Sequence, residues 1–495
     1  MEHEQPGALG GRSVTRPPLE VSNGHGEMSH EDPEAMLHTH HQQTLWVYFA
    51  LMLLGVWLST SPFTFGYGNP SLVGDHVARV TAERNLPDIA SRQTWMIWSD
   101  VISGVLLLAL AALSLNPRRL WAPWAACFVG IWLLFAPLVF WAPVAAAYTN
   151  DTLIGILVIA LTVLVPGMPG MMLIMKMGPE APPGWSYNPS SWVQRAPIIA
   201  LGWVGFFASR YLATYQLGYI DGVWDPFFGA STERILDSDV SRAWPISDAG
   251  LGTVAYALEA LMGYMGCQAR WRTMPWMVLV FGILVVPLGL VSITLVILQP
   301  VAVGTWGTLC LLTALTMLVM IPLTLDEVVA MSQFVVQKVR GGSSLWRTFW
   351  KGDTIAGEDL ARPSPGLIAS LLEQAPASVW GVTVPWSLLL SAALGLWLLA
   401  APDVLGIEGR AGNNTHLVGA AIAVVAVIAL AEVVRAGRWL NIPLGLWIVI
   451  TPWVFGETPT SALWNSVIAG LVVAGLSCPR GPVRERYGGW DRYVV

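Results

Sequence analysis

Cys310 is the side chain best placed for redox chemistry. It lies in Trp306-Gly307-Thr308-Leu309-Cys310, at the head of a long apolar run. A thiol recycled through a disulfide needs a second sulfur, because exchange proceeds by thiolate attack on sulfur. Three residues before Cys310, where a C-x-x-C would supply that sulfur, stands Gly307. Cys127, Cys267 and Cys478 are distant in sequence, and no pair forms C-x-x-C or C-x-x-x-C, so no dithiol or zinc motif is present. Cys267 is expected at the opposite end of its helix, about 30 Å away for a spanning helix. The plain alternative for Cys310 is a small buried apolar residue.

Two charged residues fall inside apolar stretches, where charge is expensive and default to a functional hypothesis. Arg210 is about seven residues before the end of its helix and Glu259 about twelve residues into the next, or roughly 10 and 18 Å deep. An Arg210–Glu259 pair, or a polar pocket shared between them, is expected. The alternative is that Arg210 snorkels to the interface. Asp248 opens the helix that carries Glu259. Six of the eight histidines precede residue 43, including His38-Thr39-His40-His41. A short cluster without a fixed scaffold reads as a solvated tail, and no metal site is expected.

Long apolar elements must position these residues. The 495-residue chain is 54% hydrophobic and 12% charged, with mean hydropathy +0.57, against about 25% charged residues in soluble domains. An all-α, polytopic membrane protein follows. A span takes about 20 apolar residues. Twelve candidates are 44–60, 98–115, 121–141, 151–173, 196–217, 247–266, 273–297, 301–323, 382–401, 416–434, 439–455 and 464–478.

With that count both termini share a side. Nineteen Lys and Arg fall there: Arg12, Arg16, Arg118, Arg119, Lys176, Arg195, Arg270, Arg272, Lys338, Arg340, Arg347, Lys351, Arg362, Arg435, Arg438, Arg480, Arg484, Arg486 and Arg492. Six fall opposite: Arg79, Arg84, Arg92, Arg234, Arg242 and Arg410. By the positive-inside rule both termini are cytoplasmic. Abundant Gly, Ala, Trp and Arg with little Lys suggest a bacterial inner or plasma membrane. The net charge of −6 lies mostly in loops, and no basic aromatic stretch suggests nucleic acid. Residues 1–43 are polar and read as a disordered tail.

The chain repeats internally. Gly55-Val56-Trp57-Leu58, Gly130-Ile131-Trp132-Leu133, Gly395-Leu396-Trp397-Leu398 and Gly445-Leu446-Trp447-Ile448 each precede a [SAT]-Pro. Each is followed by [NS]-x-x-[LI]-x-G: Ser99 to Gly104, Asn150 to Gly155, Asn414 to Gly419 and Asn465 to Gly470. Gly permits close helix approach, Pro ends a helix, Trp suits the interfacial belt, and Asn or Ser is expected to cap the next helix. Each unit is thus a two-helix hairpin. The motifs resemble the SPW repeat, although the strict tripeptide is absent; Thr451-Pro452-Trp453 comes nearest. That resemblance implies no chemistry.

The central segment differs. A helix, a polar loop (218–246) and three more helices place Gly250-x-Gly252-x-x-x-Tyr256 and Trp306–Cys310 beneath the loop on one face. This layout resembles the vitamin K epoxide reductase family. The resemblance implies a four-helix bundle holding a quinone near the outer face, with loop cysteines relaying electrons to a C-x-x-C. Here Gly307 replaces the first cysteine, loop 218–246 has no cysteine, and Ala314 stands where animal members carry a quinone-contacting Tyr. Cys310 matches the quinone-proximal cysteine, and Asp248 falls where those members have a quinone-bonding Asn.

The expected organisation is a tail (1–43), an SPW-like region (44–175), the reductase-like bundle (192–340), a linker (341–379), a second SPW-like region (380–478) and a tail (479–495). The expected role is a redox-degenerate member that binds quinone or an isoprenoid lipid through Asp248, Cys310, Arg210 and Glu259. A thiol–quinone oxidoreductase using Cys310 and a separate thioredoxin-like thiol partner is the catalytic alternative. A non-catalytic scaffold for other membrane proteins is the third.

Overall fold

The repeat motif explains the hairpins at the level of single atoms. The computed structural model describes residues 33–165, 174–175, 177–357, 359–366, 368–456 and 459–494. The first four long helices are α1 (Leu45–Thr64), α2 (Ile89–Ser114), α3 (Trp121–Val139) and α4 (Ala145–Val163). The central bundle holds α5 (Trp192–Gln216), α6 (Asp248–Tyr264), α7 (Pro275–Ala302) and α8 (Thr308–Arg340). The last four are α9 (Trp386–Leu405), α10 (Gly409–Ile428), α11 (Asn441–Phe455) and α12 (Thr460–Leu476).

Within each hairpin the two motif glycines meet. A Cβ on Gly55 would stand 2.8 Å from the Gly104 carbonyl oxygen, one on Gly130 3.0 Å from that of Gly155, one on Gly395 2.7 Å from that of Gly419, and one on Gly445 2.6 Å from that of Gly470. Backbones this close admit no side chain, which is the use of small residues between helices in lipid. Between hairpins the motif tryptophans are exchanged. Trp57 donates to Asn150 (2.9 Å) and Trp132 to Ser99 (3.1 Å); Trp397 donates to Asn465 (2.8 Å) and Trp447 to Asn414 (3.0 Å). The Asn and Ser residues are therefore not helix caps. They lie inside α2, α4, α10 and α12, whose N-caps are Asp88, Val144, Glu408 and Pro459.

The described residues are mostly helical and form no sheet, with two isolated β-bridges, Trp185–Tyr487 and Val382–Ala431. Ten helices among them are long and apolar enough to cross a membrane, so the protein is an all-α, multi-pass membrane protein. The two further spans expected at 247–266 and 464–478 correspond to α6 and α12, each 17 residues, at the lower end of the length that crosses a bilayer. The expected span 301–323 begins later and runs further, as the 33-residue α8. In α7 a π-helical turn, Leu284–Leu288, surrounds Pro287, whose missing N–H breaks the regular ladder.

The disordered tail is partly corrected. Pro33–Gln43 is a helix, and His41 is buried, its Nε2 3.1 Å from the Leu115 carbonyl and its Nδ1 3.3 Å from the Tyr48 hydroxyl. Residues 1–32, most of the end of the expected span 151–173 (residues 166–173) and Lys176 lie outside the described residues. The C-terminal segment is also packed rather than free. Tyr487 is buried against Trp185 and Tyr187, and its hydroxyl donates to Glu432 (2.9 Å). On the same face Arg270 makes a bidentate pair with Glu327 (2.5 Å for each contact), and Tyr187 donates to Asp326. Asp326 and Glu327 of α8 are thus buried anchors of the face that also holds the C-terminal tail.

Within the bundle, α5 and α6 approach through glycines: Gly205 under the Tyr256 ring (2.4 Å from a built Cβ) and Gly263 against Ile199 (2.5 Å). The core of α5, α6, α7 and α8 centres on Phe206, Tyr256, Phe281, Val285 and Met317. His416 of α10 ties the second set of hairpins to it, with its ring nitrogens 3.0 Å from the carbonyls of Leu399 and Ile297 and its ring against Trp306.

Candidate functional site

Asp225 closes loop 218–246 over the head of α8. Gly307 is the N-cap of α8 and has no side chain to satisfy the first orphan N–H groups. Asp225 supplies the acceptor from the loop instead. Its carboxylate takes hydrogen bonds from the Thr308 amide (3.4 Å) and hydroxyl, from the Thr232 hydroxyl (2.5 Å) and from the Phe228 amide (2.9 Å). Burial alone would push the Asp225 carboxyl up; the Thr232 and Thr308 hydroxyls and the Phe228 and Thr308 amides outweigh it and hold it well below the ordinary aspartate range.

The short helix Ser231–Leu236 brings Thr232 directly onto Gly307. A Cβ built on Gly307 would stand 2.8 Å from Thr232 Oγ1 and 3.3 Å from Cys310 Sγ. A loop hydroxyl and a carboxylate therefore occupy the head of the helix where the resemblance implies a sulfur relay. All four cysteines are free.

Cys310 is 7% exposed and packs with Leu212, Tyr215, Ile235, Leu236 and Val296. Ala249 and Ala314 border the same cluster. The polar group facing the thiol is Gln299 of α7, whose Oε1 is buried without a hydrogen-bond partner. Carbonyl and amide ends of a glutamine are interchangeable by a flip of the side chain. Gln299 can therefore offer a donor or an acceptor to a ligand oxygen.

Asp248 lies at the same face in a network that closes on itself. Gln216 of α5 donates to Asp248, Ser241 donates to it (3.1 Å), and Ser247 donates to the Gln216 carbonyl (2.5 Å) while capping α6 through the Gly250 amide (2.9 Å). Asp248 is thus held between α5, the loop and the start of α6, next to Ala249 on the Cys310 cluster.

Arg210 and Glu259 do not join. Arg210 lies over the Tyr148 ring of α4, 5.7 Å from its centroid. Glu259 is fully buried in the bundle, and both its carboxyl oxygens lack a hydrogen-bond partner. The expected ion pair is therefore absent. Depth along each helix was compatible with pairing; rotation about the helix axis was not, because Arg210 turns toward the N-terminal hairpins.

The four residues expected to bind a cofactor are therefore split. Cys310 and Asp248 share the face beneath the loop, and Arg210 and Glu259 stand apart from it and from each other. Asp225, Thr232, Gln216 and Gln299 escape a reading of the sequence. Gln299 had a local signal, a lone amide before Pro300 at the end of an apolar run. Thr232 and Asp225 had none, since only the folded loop sets them on Gly307.

Residues 196–325 match the Vitamin K epoxide reductase family. Residues 86–165 and 385–479 match the SPW repeat domain. Comparison with curated proteins and with solved structures gives no match. The chain therefore carries a vitamin K epoxide reductase-like core flanked by SPW repeat modules.

Proposed function

We propose that this vitamin K epoxide reductase-like membrane protein binds a quinone or isoprenoid lipid beneath loop 218–246 and does not itself cycle a disulfide. The observation that carries this reading is the replacement of the sulfur relay by a polar clamp. Thr232 fills the space in front of Gly307, Asp225 ties the loop to Thr308, and Cys310 has no second sulfur in its cluster. Disulfide exchange has no leaving sulfur there.

The family match is what points to a quinone. Beside Cys310, Leu212, Tyr215, Ile235 and Val296 supply apolar contacts, and the unpartnered Oε1 of Gln299 supplies a polar one. When bound, a quinone supplies two-electron, two-proton redox chemistry. The protein's own residues bind and orient it: Gln299 by hydrogen bonding, Cys310 by packing, and Asp248 by holding the loop and α6 together. In this reading Arg210 and Glu259 act on the bundle rather than on the ligand. Both termini would face the cytoplasm of a bacterial inner or plasma membrane, with the loop outward. A separate thioredoxin-like partner would matter only if Cys310 turns over, and no residue of the clamp supports that.

The test is extraction of lipids from the full-length protein purified in mild detergent. Bound quinone or isoprenoid lipid in wild type and in Cys310→Ser alike supports binding without catalysis. Thiol-driven quinone turnover that vanishes in Cys310→Ser would overturn it, and the absence of both ligand and turnover would leave the scaffold reading.

A further inference from the structure

Asp100 and Asp151 hold equivalent places in the two N-terminal hairpins. Each is the second residue of its [NS]-x-x-[LI]-x-G element, following Ser99 and Asn150. The exchanged bonds from Trp132 to Ser99 and from Trp57 to Asn150 bring those elements together. Both aspartates are fully buried, and none of their four carboxyl oxygens has a hydrogen-bond partner. The two carboxyl groups lie against one another.

A third polar group is buried beside them. The Tyr67 side chain is 1% exposed, its hydroxyl has no hydrogen-bond partner, and both carboxyls act on it electrostatically. Burial first, and then the two aspartates, push the Tyr67 hydroxyl up, which keeps it a neutral donor. The remaining neighbours are the Asn150 amide, the Ser61 hydroxyl and the Tyr219 phenol, all uncharged. No Arg, Lys or His acts on either carboxyl among the described residues.

Two carboxylates in contact, buried and without a cation, cannot both carry charge; one proton between them removes the repulsion and supplies a strong hydrogen bond. We propose that Asp100 and Asp151 form a proton-binding site within the first SPW module, one shared proton bridging the two carboxyls with the Tyr67 hydroxyl as the third partner. The proton comes from and returns to solvent, with no redox step. Asn150, which touches Asp151, also lines an apolar cavity of about 570 Å³ with Trp57, Leu53 and Phe65.

The hairpin architecture does not require the acids. In the C-terminal module the same two positions are Thr415 and Ser466, both 3% exposed, and Thr415 bonds its own helix at the Ala411 carbonyl (2.9 Å). The carboxyl pair is thus a feature added to one module and not to its copy.

The test is infrared spectroscopy of the full-length protein in detergent, reading the protonated-carboxyl stretch against D100T/D151S. That variant installs the side chains of the C-terminal module, and Glu259 cancels in the difference. The expected difference at neutral pH is one protonated carboxyl per chain, shifted by deuterium and unchanged by sodium chloride. No difference, a difference of two, or a band removed by sodium at constant pH would overturn the proposal, the last by assigning the site to an alkali cation. If D100T/D151S does not fold, D100N serves. It should abolish the shared-proton band, and an unaltered band would again overturn the proposal.

Discussion

Thr232 Oγ1 lies 2.8 Å from the point where a Cβ on Gly307 would stand, and Cys310 Sγ lies 3.3 Å from the same point. In a disulfide a Cβ sits about 3 Å from the partner sulfur. The backbone at the head of α8 is therefore already close to the geometry of a closed C-x-x-C, and only the loop stands in the way. Gly307→Cys should form a disulfide with Cys310 on mild oxidation, read as the loss of two titratable thiols per chain. Because Thr232 must move, the variant should lose about 1–3 kcal/mol of stability when reduced, and adding Thr232→Ala should return part of it. Two thiols that stay reactive under oxidation would show that the loop holds the sulfurs apart.

Asp225 should make the order of loop 218–246 depend on acid. Its carboxyl is held below the ordinary aspartate range by the loop and helix donors, although burial opposes this. A group depressed on folding stabilises above its unfolded pKa, and the contribution is lost as pH falls through the folded value. Protection of 218–246 against hydrogen exchange, relative to the intrinsic amide rates, should therefore be flat through neutrality and fall only in acid, below the usual aspartate range. Asp225→Asn should be less protected at neutral pH and lack the acid step.

The exchanged tryptophans should be measurably coupled. A double-mutant cycle on Trp57→Phe and Asn150→Ala should give a coupling near the typical membrane value of about 0.6 kcal/mol, and the same should hold for Trp397 with Asn465. A coupling of zero would return the tryptophans to a purely interfacial role.

Close glycine contacts should separate from merely helical ones. Gly445→Ala would press a Cβ to 2.6 Å from the Gly470 carbonyl oxygen, whereas one on Gly475 would meet nothing within 4 Å. Gly445→Ala should destabilise by roughly 1–3 kcal/mol. Gly475→Ala should be neutral or better by up to about 1 kcal/mol, because Ala favours a helix interior over Gly. Thermal unfolding in detergent reads both.

The hairpins were legible because the motif is short and repeated, yet its residues were partly misread. Asn150 looks like a cap when only its own helix is considered; its partner, Trp57, belongs to the other hairpin. Helix positions could be read from apolar runs, but their rotation could not, and rotation is what sends Arg210 to Tyr148 and leaves Glu259 alone. At the site, Gly307 and Cys310 were visible as a broken motif. Asp225 and Thr232 were not, because an irregular loop carries no periodicity to say which of its residues will land on a helix end. Gln216 joins Asp248 across 32 residues by the same kind of long-range contact.

The central claim is ligand binding without disulfide cycling, and quinone content per chain tests it most directly. Purified full-length protein should carry quinone or isoprenoid lipid at the same occupancy in wild type and Cys310→Ser, and at several-fold lower occupancy in Gln299→Leu, which removes the unpartnered Oε1 beside the thiol. Equal occupancy in Gln299→Leu, or loss of ligand in Cys310→Ser alone, would contradict it.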